Sequence, residues 1–324
     1  MKLPRRNFLH LAAGAAALPV ASRFANAQGY PSRPVRLIVP WPAGGVVDLY
    51  ARLISQVLSE RMGQQFIVEN RVGAGGNLGT EAVVRAPADG YTLLQLSSAN
   101  AWAAALYELT FNFLIDLTPI ASIYTAPALL VAHPSFAATS VPELIAYAKR
   151  NPGKINMASA GVGSAHHVYG ELFKSMAGID MFHVPYRGGA PAMTDLLAGH
   201  VHLTFEPAAT AIEHVRSGKL RPLAVTSLKR LEVLPSVPTV SEFLPGYEGV
   251  GWQGLAAPKN TPSAIIEKLN KEINAGISDD RIKARIADLA GTVFVGSPSD
   301  FGTFITAYTE KWAKVIRAAN IKPE

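Results

Sequence analysis

The chain has no cysteine in its 324 residues, which excludes disulfides, thiolate metal centres and cysteine nucleophiles. Charge is scarce as well. Asp, Glu, Lys and Arg make up 17%, where about 25% is usual. A disordered or nucleic-acid-wrapping chain would be more polar, so this composition excludes both. Gly and Pro, at 27 and 23 residues, stay below the roughly 25–30% of low-complexity chains. No short tandem repeat of the solenoid kind is present. Catalytic signatures are missing too: there is no Gly-x-Ser-x-Gly elbow, no His-Glu-x-x-His and no phosphate-binding Gly-Lys-Ser/Thr. What remains is 49% hydrophobic residues, enough for a large core spread over roughly two domains of about 150 residues each.

The formal charge of +6 looks like a polyanion binder's until its location is considered. Lys2, Arg5, Arg6 and Arg23 lie in residues 1–27 without any acid, and the rest of the chain keeps only +2 of the +6. That segment has the grammar of an export signal: a basic start, an apolar stretch from Leu11 to Ala21, and Ala25-Asn26-Ala27 before a cleavage point at Gln28. Arg5-Arg6 followed by Asn7-Phe8-Leu9 resembles a twin-arginine signal, with Sec export as the alternative. The apolar stretch is shorter than the ~20 residues a spanning helix needs, and Pro19 interrupts it. A bacterial periplasmic location is the expectation.

Past the leader, strands and helices alternate. Val35–Val39 reads as a strand, and the loop Pro40-Trp41-Pro42-Ala43-Gly44-Gly45 leads into an amphipathic helix over residues 46–62. Strands are expected at 65–69 and 91–96, with a helix at 78–85 between them. An extended segment at 120–131 precedes a second unit of the same grammar: helix 141–150, strand 155–159, helix 166–177, strand 181–185, helix 190–198, and strands near 201–205 and 221–226. Another extended segment at 249–257 precedes helices at 263–275, 281–289 and 300–319. Alternation of this kind implies doubly wound parallel sheets. The second unit inserted into the first gives two lobes with a cleft between them, crossing near residues 127 and 252. The first lobe is then 28–127 with 252–324, and the second is 128–251.

Three strand-to-helix junctions are glycine-rich: Ala43-Gly44-Gly45, Gly73 to Asn77, and Gly161-Val162-Gly163-Ser164. Such loops aim unpaired N–H groups outward with a helix dipole behind them, which suits a carboxylate. In open sheets they also border the ligand crevice. A dinucleotide site is not expected, because His166 stands where the third glycine of the fingerprint belongs. Trp41 and Tyr186 flank two Gly-Gly turns that echo each other, 39–45 and 184–189, so each lobe is expected to present a similar loop to the cleft. Asp48 is explained most simply as a favourable charge at a helix N-terminus.

Six ordered blocks then resemble the Bug-type solute receptors of tripartite tricarboxylate transporters. They are Pro40-Trp41-Pro42-Ala43-Gly44-Gly45-x-x-Asp48, Asn70-Arg71-x-Gly73-Ala74-Gly75-Gly76-Asn77-x-Gly79, Asp89-Gly90-Tyr91-Thr92-Leu93-Leu94, Gly161-x-Gly163-Ser164-x-x-His167, His183-Val184-Pro185-Tyr186-Arg187-Gly188-Gly189, and Leu234-Pro235-x-Val237-Pro238-Thr239-Val240-x-Glu242. The resemblance implies an α/β, type II periplasmic-binding fold: two doubly wound lobes joined by two hinge strands, closing on a ligand in the cleft. It implies that the Trp41 to Asp48 loop holds one carboxylate through backbone amides and waters, and that the Gly161 to His167 loop holds the other end. Asn77, Ser97 and Ser98 are then wall residues. Trp41 stands where the family often has Phe, and His202 and Glu206 stand where Asp is frequent.

The expected protein is a monomeric, non-enzymatic periplasmic receptor without a cofactor. It takes a small mono- or dicarboxylate, an aromatic acid included, and delivers it to membrane permease subunits. Its expected ligand-binding residues are Trp41, Ala43, Gly44, Gly45, Asp48, Asn77, Ser97, Ser98, Gly161, Gly163, Ser164, His167, Tyr186 and Glu206. Two rivals are a hydrolase or lyase using Ser164 with His167, and a metal receptor using His183, His200 and His202.

Overall fold

The computed structural model describes residues 29–318 and 320–322. The leader expected over residues 1–27 lies outside them. In chain order the elements are β1 (Val35–Val39), α1 (Val46–Met62), β2 (Phe66–Asn70), α2 (Asn77–Val84), β3 (Thr92–Ser97), α3 (Ser98–Leu106), α4 (Phe113–Asp116), β4 (Leu117–Ala132), α5 (Val141–Arg150), β5 (Asn156–Ser159), α6 (Ala165–Ala177), β6 (Phe182–Pro185), α7 (Gly189–Leu197), β7 (Leu203–Pro207), α8 (Ala208–Arg216), β8 (Arg221–Val225), β9 (Val250–Pro258), α9 (Ser263–Ile277), α10 (Asp280–Asp288), β10 (Thr292–Val293) and α11 (Pro298–Ala318).

Local chemistry explains several boundaries. Ser140 caps α5 by accepting the Glu143 N–H, with Pro142 in the first turn, where a missing N–H is harmless. Gly63 ends α1 at φ 68°, a left-handed conformation that glycine adopts without strain. Three helices fall outside the pattern read from the sequence: α3, α4 and α8. The first of these, Ser98-Ala-Asn-Ala-Trp-Ala-Ala-Ala-Leu106, has no polar face to betray it and is buried along most of its length.

Strand order is β2-β1-β3-β9-β4-β7-β5-β6, with β8 and β10 also pairing β4. Pairing within β1, β2 and β3 and within β5, β6 and β7 is parallel. The long strands β4 and β9 are antiparallel to their neighbours. Sixteen residues long, β4 belongs to two sheets. Its first part pairs with β9 as far as Pro127 opposite Val250, and from Ala128, opposite Pro207, it pairs with β7. Thr226 sits at the crossing. Its hydroxyl accepts the Ala128 N–H at 2.7 Å and donates to the Gly249 carbonyl, tying together the two places where the chain passes between sheets.

Both faces of each sheet are covered, as strands of continuous apolar character require. In β1, Leu37 and Val39 enter one cluster with Tyr50 and Ile54 of α1, while Ile38 enters another with Phe301 and Ile305 of α11. In β4, Leu130 faces Phe173 and Phe205 whereas Leu129 and Val131 face Leu196 and Ile212. The period-two alternation thus decides which layer each side chain joins. Helix α11 spans the molecule: Phe301 and Ile305 pack on the first sheet, and Trp312 and Ile316 join the cluster of the second.

Candidate functional site

A cavity of about 480 Å³ lies between the sheets. Its walls come from the starts of five helices: Gly45 to Val47 of α1, Ser97 to Ala99 at α3, Ser164 to His166 of α6, Gly188 to Ala190 of α7, and Pro207 to Thr210 around α8. Each helix start carries the positive end of a backbone dipole, about half an elementary charge, and N–H groups without helical partners. The crossing strands contribute Tyr124 to Ala128 and Gly251 to Gln253 on another side. Among the described residues that line the space there is no Lys or Arg, and Glu206 is the one carboxylate.

The first loop is held rigid from behind. Buried Asp48 accepts the Gly44 N–H at 3.1 Å, the Arg52 guanidinium at 2.9 and 3.0 Å, and the Asn70 amide at 3.0 Å. The same Asn70 amide donates to the Trp41 carbonyl. Burial would raise the Asp48 pKa, but the hydrogen bonds from Arg52, Asn70 and Gly44 outweigh it and hold the carboxyl below its usual range. Asp48 is therefore an internal brace that fixes the loop and takes one of its N–H groups. Trp41, Gly44 and Gly45 line the cavity; Ala43 is exposed beside them and does not line it.

In the second glycine loop Gly73, Gly75 and Gly76 lie at positive φ, and a Cβ on Gly75 would come within 2.8 Å of the Tyr107 hydroxyl. Asn77 is buried at the start of α2 and does not line the cavity. A Cβ on Gly79 would come within 2.6 Å of the Arg71 carbonyl and 3.0 Å of Pro40. Glycine here lets α2 press against the backbone of the first loop.

The third loop is braced like the first. Gly161 donates its N–H to Ser159 Oγ at 3.1 Å, and Ser159 Oγ lies 2.6 Å from His183 Nε2. Gly163 donates its N–H to His167 Nδ1 at 3.2 Å, and the His167 and His183 rings stack at 4.1 Å. Burial, with His183 and Lys174 nearby, pushes the His167 pKa down to about 3, so the ring stays neutral and able to accept that bond. From the opposite side, Trp102 Nε1 donates to the Gly163 carbonyl at 2.8 Å and the Tyr107 hydroxyl to the Val162 carbonyl at 2.9 Å. Gly161, Gly163 and His167 thus shape the loop, while Ser164 reaches the cavity wall. Ser164 Oγ accepts the backbone N–H of His167, and the ring nitrogen of His167 that faces the loop is occupied by the Gly163 N–H, so the imidazole does not serve Ser164 as a nucleophile's base would.

Of the remaining expected residues, Ser97 and Ser98 line the cavity at the start of α3, where Ser98 Oγ accepts the Trp252 N–H at 2.9 Å. Tyr186 does not line it; its hydroxyl donates to Asp195 at 2.6 Å, and burial together with that carboxylate raises its pKa to about 12. The three histidines of the metal rival are engaged separately. His183 meets Ser159, exposed His200 lies beside Asp195, and His202 Nδ1 accepts the Asn156 N–H. His200 and His202 precede β7, which begins at Leu203, so strand alternation does not align them. Among the described residues no group of three or more His, Asp or Glu is arranged to hold a metal ion.

Glu206 lines the cavity and is 2% exposed. Its Oε2 lies 3.1 Å from His166 Nε2, and its Oε1 accepts from the hydroxyl of Thr210 in the first turn of α8. His166, Thr210, Tyr124 and Gln253 are lining residues that the sequence reading passed over. The echoing loops meet beside the cavity: a Cβ on Gly44 would lie 3.7 Å from that of Ala190, and one on Gly188 would lie 2.9 Å from Pro42 Cγ.

The sequence profile described as "Tripartite tricarboxylate transporter family receptor" (TctC) matches residues 50–321. The chain belongs to the TctC family. Protein BugT of Bordetella pertussis is 36% identical over 301 residues, covering 92% of each chain. A solved structure described as R. palustris Rpa4515 with adipate is 36% identical, covers 91% of this chain and 100% of the other, and superposes with a TM-score of 0.88. The structure of the periplasmic binding protein BugD is 34% identical, covers 90% of this chain and all of that one, and gives a TM-score of 0.86. The Bug resemblance and the α/β periplasmic-binding fold are thereby borne out, and this TctC protein is a solute-binding receptor.

Proposed function

We propose that the protein captures a small organic carboxylate in the 480 Å³ cavity and delivers it to the membrane subunits of a tripartite tricarboxylate-type transporter. The observation that carries this is the convergence of five helix N-termini on one space whose described lining has no Lys or Arg. Such a site recognises an anion through oriented N–H groups, and charge-assisted hydrogen bonds are about twice as strong as neutral ones. Adipate in the Rpa4515 structure supports the carboxylate class. The lobes, 28–127 with 252–324 and 128–251, close by rotation about β4 and the connection at Thr226 and Gly249. The receptor works in the periplasm after export, by binding and not by turnover.

Thermal unfolding of the purified mature protein against adipate, succinate, hexanoate and benzoate tests this reading. A ligand present at 100 times its Kd adds about 2.7 kcal/mol of stability. At least one acid is expected to raise the midpoint by several degrees, and no shift with any of them would overturn the proposal.

A further inference from the structure

Two donors from α3 and the residue that follows it reach the loop leading into α6. In the peptide unit joining Val162 to Gly163, the carbonyl accepts from the Tyr107 hydroxyl at 2.9 Å and the N–H goes to His167 Nδ1. In the unit joining Gly163 to Ser164, the carbonyl accepts from Trp102 Nε1 at 2.8 Å and the N–H donates to the Gly161 carbonyl at 3.1 Å. Gly161 and Gly163 stand at φ 112° and 76°, so this stretch has the backbone freedom that glycine confers. Bonds at both ends of each unit remove that freedom and fix the direction of the α6 N-terminus, whose first residues, Ala165 and His166, line the cavity. Trp102 and Tyr107 do not line it. Trp102 is buried against Tyr169, Tyr308 and Trp312, where an indole N–H needs a partner. Tyr107 is half-buried, and burial raises its pKa, so the hydroxyl keeps the proton it donates. That hydroxyl passes between two glycine loops: a Cβ on Gly75 would come within 2.8 Å of its oxygen, and one on Gly163 within 3.1 Å.

We infer that Trp102 and Tyr107 are positioning residues for carboxylate capture: from outside the cavity they fix the two peptide units that aim the α6 N-terminus at the ligand, and Gly75 clears the path for the Tyr107 hydroxyl. This rests on the receptor reading above. An N–H at a helix start holds an anion only when pointed at it, and hydrogen bonds weaken steeply as they misalign. Loss of either donor also leaves a loop carbonyl unpaired, which favours a turn of the glycine-flanked unit toward another partner. The Gly73 to Asn77 loop then has a part in capture although Gly75 and Asn77 lie off the cavity lining.

The test compares four variants of the purified mature protein by calorimetric titration and stopped-flow fluorescence with adipate, succinate, hexanoate and benzoate. Tyr107→Phe and Trp102→Phe each keep a ring and remove one donor. Both are expected to bind the acids that the unmodified protein binds about threefold to tenfold less tightly, chiefly through faster release. Gly75→Ala, which crowds the Tyr107 hydroxyl, is expected to weaken binding as well, and its effect should shrink in the Tyr107→Phe background because the two act through one bond. Trp312→Phe is the packing control: its ring lies 5.2 Å from that of Trp102, in the same cluster, but holds neither carbonyl. It is expected to lower the unfolding midpoint and to bind within about twofold of the unmodified protein. If Tyr107→Phe and Trp102→Phe bind as tightly as the unmodified protein, the inference is overturned and the receptor reading stands. An equal loss of affinity in Trp312→Phe also overturns it, since packing alone then accounts for the effect. Should the unmodified protein bind no acid, both fall. If Trp102→Phe does not fold, Tyr107→Phe and its combination with Gly75→Ala still decide.

Discussion

At the residue scale, His167 shows how a side chain outside the cavity lining shapes the loop that ends at Ser164 on the cavity wall. Its Nδ1 accepts from Gly163 only while unprotonated, and burial holds its pKa near 3, against 6.5 for an ordinary histidine. Between those two values the unfolded chain binds a proton that the folded chain refuses. Stability from this group is therefore complete above pH 6.5 and declines as pH falls toward about 3, by at most about 1.4 kcal/mol per pH unit. Thermal unfolding measured from pH 7 to pH 4 should show a falling midpoint. In His167→Asn, whose side-chain oxygen can still accept from Gly163 but does not titrate, the fall should be shallower. An identical pH profile for the variant would exclude His167 as the source. Asp48 acts in the same indirect way: its position four residues past Gly44 hinted at a helix-terminal charge, yet only the fold brings Asn70 beside it to close the brace.

At the element scale, the junctions between strands and helices carry both the site and the main surprises. Gly188 sits at φ 121°, ψ 170°, a conformation that residues with a Cβ adopt only with about 1–3 kcal/mol of strain, and a Cβ there would press on Pro42 Cγ at 2.9 Å. The strain burdens the folded chain whether the lobes are open or closed, whereas the Pro42 contact exists only where the two loops meet. Gly188→Ala should therefore lower stability by about 1–3 kcal/mol in urea titration and, separately, weaken carboxylate affinity. Adding Pro42→Ala should recover affinity without recovering stability; recovery of neither would mean the loops do not meet in the ligand-bound form. Much of this layout is legible in the sequence, since the strand Val35–Val39 and the helices over 46–62 and 141–150 follow from periodicity and caps alone. Two of the five helix starts around the cavity were not. Helix α3 is apolar on nearly every face because it is enclosed by the first sheet and α11, and α8 follows β7 directly behind Pro207 with no glycine to mark the turn. Conversely, the Gly73 to Asn77 loop gave the same signal as its two counterparts for a different cause. A glycine-rich junction reports positive φ or close approach, and only the fold says whether the neighbour is a ligand or, as with Tyr107 beside Gly75, another stretch of chain.

At the scale of the whole molecule, the two sheets share β4 and are bridged by α11, and the loops of Gly44 and Gly188 beside the cavity lie in contact. The proposed rotation about β4 predicts that ligand entry breaks the Gly44–Ala190 and Pro42–Gly188 contacts together. The absence of cysteine makes this directly testable, because an introduced pair has no competitor. The 3.7 Å separation between a Cβ on Gly44 and that of Ala190 matches the Cβ separation of about 3.8 Å found in disulfides. The double variant Gly44→Cys with Ala190→Cys should accordingly form an intramolecular crosslink on oxidation, although Gly44 at φ 82° makes the bridge strained. Locked in this form, the protein should bind a carboxylate ligand at least about tenfold more slowly, and release a trapped one more slowly by a similar factor, with both rates restored by reductant. Stopped-flow tryptophan fluorescence reads both rates, since Trp41 lines the cavity and Trp102 hydrogen-bonds across to Gly163. Unchanged association in the oxidised protein would show that ligands enter without separation of these loops, and the rotation about β4 would lose its role in capture.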